Sequence, residues 1–543
     1  MMIRKFFLLA ISVLVFSCNS QKQADLIVHN AVVYTVDEKF SVAEAFAVKD
    51  GKMLELGTSE DILKKYRGEQ LDAEGKAIYP GFIDGHSHFY GYGQGLQNAD
   101  LVGTRSWEEI LEKLKQFSLE NPEGWIIGRG WDQNDWTNRE FPDNSELNEL
   151  FPNRPVILSR IDGHAAIANK AALEIAGLKP GEKLTGGEVE TVNGKLTGIL
   201  VDNAQGLVYS KIPPQTAVQI RKSLMDAQKN CFAAGLTTVT DCGINYSLIP
   251  LITELHISNQ LKMRIYGMLH DDQENYDFLF KNGAIKTDRL NIRSFKVYAD
   301  GALGSRGACL LEPYSDKPSY SGFLLSDKKH FAAVAQKIAR AGFQMNTHAI
   351  GDSANREILN VYAKVLKGKN DSRWRIEHAQ VVNQADFKLF GENNVIPSVQ
   401  STHATSDMYW AGDQLGTKRV KGAYALKQLL DQNGWLVLGT DFPVENINPM
   451  YTFYAAVVSK DMKGYHASGY QMENALTREE ALRGMTIWAA KGNFEEKEKG
   501  SLEAGKFADF VMLDQDLMKA DAGSLFKVNV LKTYLNGENV YTK

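Results

Sequence analysis

Two histidines one residue apart, His86 and His88, end the run "PGFIDGHSHF" (80–89). Alternate residues of a β-strand face the same side, so a rigid backbone there presents two imidazoles together, as a divalent metal ion needs. Four further side chains able to bind metal close other strand-like runs: Lys296 in "SFKVYAD", His348 in "MNTHAIG", His378 in "RIEHAQ" and Asp441 in "LGTDFPV". Each has an ordinary alternative. His348 and His378 could be buried core histidines, Asp441 could cap a helix, and Lys296 could extend to solvent. Placement of all six at the ends of five such runs is what a convergent metal site requires.

Strand-like runs recur at βα spacing: "IYPGFIDGHSH", "GLTTVTDC" (235–242), "MRIYGML" (263–269), "IRSFKVYADG" (292–301), "GFQMNTHAIG" (342–351), "WRIEHAQ" (374–380), "VIPSVQST" (395–402) and "WLVLGTDFPV" (435–444). Helical segments such as 327–341 separate several of them. Eight strand–helix units predict an α/β fold, a (β/α)8 TIM barrel, over 80–490. About 145 residues separate the first run from the second. That gap predicts an insertion subdomain over 90–230, placed above the C-terminal barrel face where such folds build their sites. Residues 25–79 and 491–543 alternate like short strands and turns, and are expected to pair as one small β-sandwich made from both chain ends.

The chain carries 61 basic and 66 acidic residues with no basic cluster, so nucleic acid is not an expected partner. At the N-terminus, Arg4 and Lys5 precede "FFLLAISVLVF" (6–16), too short to span a bilayer. Residues 1–17 read as a signal peptide, with Cys18 as a lipidated first residue and 18–24 as a linker. Membrane contact through this anchor alone places the protein in a bacterial periplasm or envelope. Beyond Cys18 the chain has Cys231, Cys242 and Cys309, without the spacing of a disulfide or zinc framework.

From about residue 25 to the end, the sequence resembles the amidohydrolase superfamily, and within it the amidohydrolase family 3 group that includes N-substituted formamide deformylases. The resemblance is carried by "PGFIDGHSHF", "GWIIGRGWDQNDW", "RIDGHAAIANKAAL", "KVYADGALGSRGA", "NTHAIGDSANR", "RIEHAQ", "SVQSTHATSDMYW", "GTDFPVENINP" and "GSLEAGKFADFVMLD". It implies one metal on His86, His88 and Asp441, and a second on His348 and His378. A carboxylated Lys296 would bridge two divalent ions, zinc by ligand type. Asp441 would carry the proton from a metal-activated hydroxide to the leaving amine. The implied reaction is hydrolysis of an amide or N-acyl C–N bond in a small molecule.

The resemblance also places His164 and His403 toward substrate, with Trp131, Asp132 and Arg306 as pocket walls. Cys242 lies where related D-aminoacylases use a cysteine as bridging ligand, although a buried cysteine more often acts as a small hydrophobe. Lys460 stands where relatives often have arginine. Two other functions compete. A mononuclear deaminase on the same barrel would commonly carry Glu three residues after His348, where this chain has Gly351. A lipoprotein that binds metal or ligand without turnover would not need all six ligand types. Homo-oligomerisation is compatible with the sequence.

Overall fold

The computed structural model describes residues 21–543. The expected signal segment and Cys18 lie outside the described residues. Eight parallel strands form a barrel: β1 (Phe82–Ser87), β2 (Leu236–Ile244), β3 (Arg264–His270), β4 (Leu290–Tyr298), β5 (Gln344–Ala349), β6 (Arg375–His378), β7 (Ile396–Val399) and β8 (Val437–Leu438). Each of the eight runs picked out in the sequence holds one of them. Every residue of β1, β5, β6 and β7 is buried. Both faces of a parallel sheet are covered, so its strands read as nearly unbroken apolar runs.

Strands pair in order from β1 to β8. The last edge is joined by two backbone bonds, Asp441 N–H to His86 O (2.8 Å) and His88 N–H to Phe442 O (2.9 Å). Glycine makes this approach possible. A Cβ on Gly85 would lie 2.1 Å from Val437 Cγ1, and one on Gly439 would lie 2.4 Å from His86 N. Around the barrel, sequence and helix agree: Phe331, Val334, Ala335 and Ile338 form the buried face of Lys328–Ala341. Asp327 caps its N-terminus, accepting from His330 N–H, and Gly342 ends it in a left-handed conformation.

Both chain ends build the sandwich. One four-stranded sheet uses Lys22–His29, Ala45–Lys49, Lys52–Gly57 and Tyr66–Asp72. The other joins Ala77–Pro80 antiparallel to Phe510–Leu513 near the C-terminus. Phe46, Phe510, Val48, Ile78 and Tyr534 pack in its core. Its first strand begins at Lys22, inside the segment expected as linker. Fully buried Arg264, at the start of β3, ties barrel to sandwich through Asp509 (2.7 and 3.0 Å) and stacks over Phe507.

The insertion leaves after β1 and has its own seven-stranded sheet, with Ala99–Asp100 at one edge and Lys183–Leu184 at the other, and apolar cores on both faces. It is shorter than the sequence suggested. Helix Ala217–Ala233 buries Leu224, Ala227, Cys231 and Phe232 in the main barrel core, so it belongs to the barrel. Among the described residues, no helix is long and apolar enough to cross a membrane.

Candidate metal centre

His86, near the end of β1, and His88, one residue beyond it, meet Asp441 just beyond β8. Asp441 Oδ1 lies 3.1 Å from His88 Nε2 and 3.5 Å from His86 Nε2. Asp84, on the same strand, locks this pair of elements: its carboxylate accepts from His86 N–H (3.2 Å), Thr440 N–H (3.0 Å) and Thr440 Oγ1–H (2.6 Å). Burial nevertheless pushes the Asp84 carboxyl up to about 7. Asp441 itself has a φ of 61°. A short polar side chain tolerates that left-handed backbone, which turns the carboxylate out of the strand's alternation and over the barrel mouth.

β6 supplies the support. Arg375 and Glu377 share its inward face, and Arg375 holds the Glu377 carboxylate (2.6 Å) as well as Gly85 O and Ser398 Oγ. Glu377 in turn accepts from His86 Nδ1. With the proton on Nδ1, His86 Nε2 carries a lone pair that faces Asp441 (3.5 Å) and Lys296 Nζ (3.4 Å), the arrangement a metal-binding imidazole needs. Arg375 and His86 hold Glu377 ionised despite its burial. This Arg–Glu pair was missed in the sequence. Its signal was opposite charges two residues apart in a buried strand.

Next to it, His378 has a φ of 73°. That backbone, uncommon for histidine, redirects a side chain that strand alternation would aim away from Glu377. Its ring comes within 4.6 Å of the His86 and His348 ring centroids, and its Nδ1 bonds Gln400 Oε1 (2.8 Å). Lys296 is fully buried, with Nζ 3.4 Å from His86 Nε2. Asp300 does not pair with it. That carboxylate is occupied by the backbone N–H groups of Cys309, Ile350 and Gly351 (2.8–2.9 Å).

The electrostatics suit a cation. Burial pushes His86 down to about 4, with Lys296 adding to the effect. Burial likewise lowers His88, His348 and His378, which keeps the imidazoles neutral. Burial works against ionised Asp441, but His86, His88 and His378 more than reverse it. Neutral nitrogens around one carboxylate are the protonation states that metal ligation demands.

His348 and His403 complete the ring. His403 Nε2 lies 3.6 Å from Asp441 Oδ2, while His348 Nε2 faces Gly301 O (3.4 Å) and Asp300 (3.8 Å). From the insertion, His164 arrives 4.8 Å from the His348 ring, held at Nδ1 by Asp202 (2.7 Å). Asp202 was not singled out in the sequence, because 38 residues separate it from His164.

Trp131, expected as a pocket wall, is instead core. It is fully buried in the insertion, packs tilted against Trp136 and edge-on to Phe141, and donates to Leu158 O (2.8 Å). The strand Ile126–Trp131 simply aims it into its own subdomain's interior. Trp131→Ala is therefore expected to cost about 3–5 kcal/mol of stability, read by denaturant unfolding, with metal content unchanged. A shift in KM at full stability would return it to the pocket.

The other pocket candidates are already engaged. Asp132 pairs with buried Arg160, Arg306 with Asp316 (2.6 Å), and Lys460 donates to Ala467 O (2.7 Å). Cys242 is buried beside Tyr266 and Met268. Its thiol, pushed well up by burial, clusters with His86 and Glu377.

The residues fit a metal. A tetrahedral ion with bonds of ~2.1 Å spaces its ligand atoms ~3.4 Å apart. The separations from Asp441 Oδ1 to His86 and His88, 3.5 and 3.1 Å, match that spacing. Asp441 Oδ1 is buried without a hydrogen-bond partner among the described residues.

A (β/α)8 barrel with this convergent histidine–carboxylate centre defines the class of metal-dependent hydrolases. The chain belongs to the amidohydrolase family, whose model matches residues 69–541. It is 33% identical to Protein LONG AFTER FAR-RED 3 of Arabidopsis thaliana, over 95% of this chain and 92% of that one. It is 31% identical to putative amidohydrolase YtcJ of Bacillus subtilis (95% and 99% covered). It is 26% identical to N-substituted formamide deformylase of Arthrobacter pascens (94% and 97%). An uncharacterised metal-dependent hydrolase from Pyrococcus horikoshii superposes with a TM-score of 0.75 at 28% identity, covering 92% of this chain and 99% of that one.

Proposed function

We propose that this protein hydrolyses a C–N bond, an amide or N-acyl group, in a small molecule. The observation that carries the reading is Asp441, whose carboxylate faces the free nitrogens of His86 and His88 at ligand spacing. Zinc suits this donor set. His86, His88 and Asp441 would hold a divalent ion, which when bound would supply Lewis acidity for the scissile carbonyl and for water at the site. Asp441 is placed to take the proton of the attacking water and return it to the nitrogen of the leaving amine, so that water is added across the bond. Glu377 holds His86 in the ligating tautomer, and Arg375 holds Glu377. His164, fixed by Asp202, stands on the insertion side as a contact for the substrate carbonyl, with His403 on the opposite side. Similarity to N-substituted formamide deformylase supports N-formyl compounds as the first substrates to test. Lipid anchoring through Cys18 in the cell envelope remains part of the proposal.

The test is an activity screen of metal-loaded protein over N-formyl, N-acetyl and cyclic amides, with carboxylate, amine and ammonia followed together. Paired release of carboxylate and amine is expected. Ammonia alone would indicate a deaminase, and bound metal without turnover would indicate a binding protein.

A second expectation tests the support. Glu377→Gln keeps the shape but weakens the acceptor for His86 Nδ1–H, so metal affinity should fall about 10–100-fold. Competition with a chromophoric chelator measures it. Unchanged affinity would remove Glu377 from the account.

A further inference from the structure

We propose that Arg129, on the insertion strand Ile126–Trp131, receives an anionic substituent of the substrate, a carboxylate, close to the scissile bond. This rests on the hydrolase reading above and narrows its substrate class to acylated amines that also carry an acid group.

The guanidinium lacks a counter-charge. Among the described residues it makes one hydrogen bond, from Nη2–H to Ile161 O (2.7 Å), and its Nε is buried with no partner. Three fully buried arginines show the usual alternative. Arg264 pairs with Asp509, Arg375 with Glu377, and Arg160 with Asp132 and Asp162. Arg160 and the backbone N–H of His164 occupy both oxygens of Asp162, so that carboxylate is spent. Burial works against the charge of Arg129, and Tyr209, Asp162 and Asp441 favour it without making up the loss. A cation removed from water and left without a bonded acid is stabilised most by an anion that arrives with the substrate. Most of its N–H donors are free, and a planar fork matches the two oxygens of a carboxylate.

Its position is toward the metal centre. Ile161 and Gly163 lie in the turn that carries His164, between the strands Val156–Arg160 and Ala165–Ala168. A Cβ on Gly163 would stand 3.2 Å from Arg129 Nη1 and 3.5 Å from Nη2, and Gly163 has a φ of 74°, so glycine lets the guanidinium approach this turn closely. The His164 ring in turn is 4.8 Å from that of His348. The charge also reaches the metal ligands: burial lowers His88 most, and Lys296 and Arg129 add to it. A substrate whose carbonyl meets His164 therefore brings a neighbouring substituent to Arg129. As a brace for the turn alone, Arg129 would act equally on charged and neutral substrates, and this difference is measurable.

The test compares N-formylglycine with N-formylglycinamide, which match in size and differ in charge, on metal-loaded wild type and on Arg129→Gln. Wild-type kcat/KM should favour the carboxylate by about 10–100-fold, mainly through KM, and the ratio should fall to about one in the variant. Circular dichroism and thermal melting confirm that the variant is folded. N-methanesulfonylglycine and its carboxamide, which resist hydrolysis, give the same comparison by calorimetry without turnover. A crystal of wild type with the sulfonyl acid supplies a readout independent of any variant: its carboxylate is expected within hydrogen-bond distance of Arg129. Equal use and binding of acid and amide by wild type, a preference retained in folded Arg129→Gln, or a carboxylate held elsewhere in the crystal would each overturn the assignment. Selective binding of the acid with no turnover of any amide refutes the hydrolase reading and leaves the role of Arg129 standing.

Discussion

Asp441→Asn is expected to lower kcat/KM on the best N-acyl substrate by at least ~10³-fold while the protein stays folded. The substitution preserves shape and removes charge and basicity together. In the native site, His86, His88 and His378 all favour the carboxylate. An amide there cannot take a proton from water, and it is a poor ligand for a divalent ion. The surrounding imidazoles are held neutral by burial, and Glu377 still faces the buried Lys296 ammonium, so the barrel is expected to stay folded. Steady-state kinetics with metal content measured on the same sample checks this. Activity within tenfold of wild type would refute Asp441 as the proton carrier.

Lys296→Ala should lose activity by roughly 10²-fold or more and hold fewer ions, with short carboxylic acids restoring part of both. Burial opposes the charged amine. Tyr298, Cys242, Glu377 and Asp441 outweigh it and keep the ammonium favoured. Next to a divalent cation that ammonium is repelled, since even unit charges ~4 Å apart interact by ~4 kcal/mol at an effective dielectric of 20. Loss of one proton to solvent, attack of the neutral amine on CO2 and loss of a second proton from the nitrogen would form a nitrogen–carbon bond. The resulting carbamate replaces a positive charge with a negative one. Nζ already lies 3.4 Å from His86 Nε2, on the side where a bridge would reach the first ion. Metal loading of wild type should accordingly depend on bicarbonate. Full loading in its strict absence, or density for an unmodified amine in a metallated active crystal, would eliminate the carbamate.

Much of this architecture is written in local pattern. Apolar runs with polar ends marked all eight barrel strands, because a strand covered on both faces admits few polar residues except where it leaves the barrel. His86 and His88 were legible for the same reason: period-two alternation converts a sequence spacing directly into a shared direction. The paired chain ends were legible as strands, since Phe510–Leu513 and Ala77–Pro80 have the composition of sheet.

Other features depend on contacts that no local pattern carries. Trp131 looks like a recognition aromatic in sequence, but the insertion folds it into its own core. The boundary of that insertion moved because helix Ala217–Ala233 is amphipathic under either assignment, and only packing shows which core receives its apolar face. Glu377 and Asp202 orient site histidines 291 and 38 residues away, and such pairings follow from strand order and loop path. The sequence by itself determined the barrel, the sandwich and the chemical types at the strand ends. Tertiary structure alone decided which nitrogen of His86 is free and which oxygen of Asp441 faces which histidine. Those directions are set by the left-handed backbone at His378 and Asp441 and by the closure of β8 on β1, where strand alternation no longer applies.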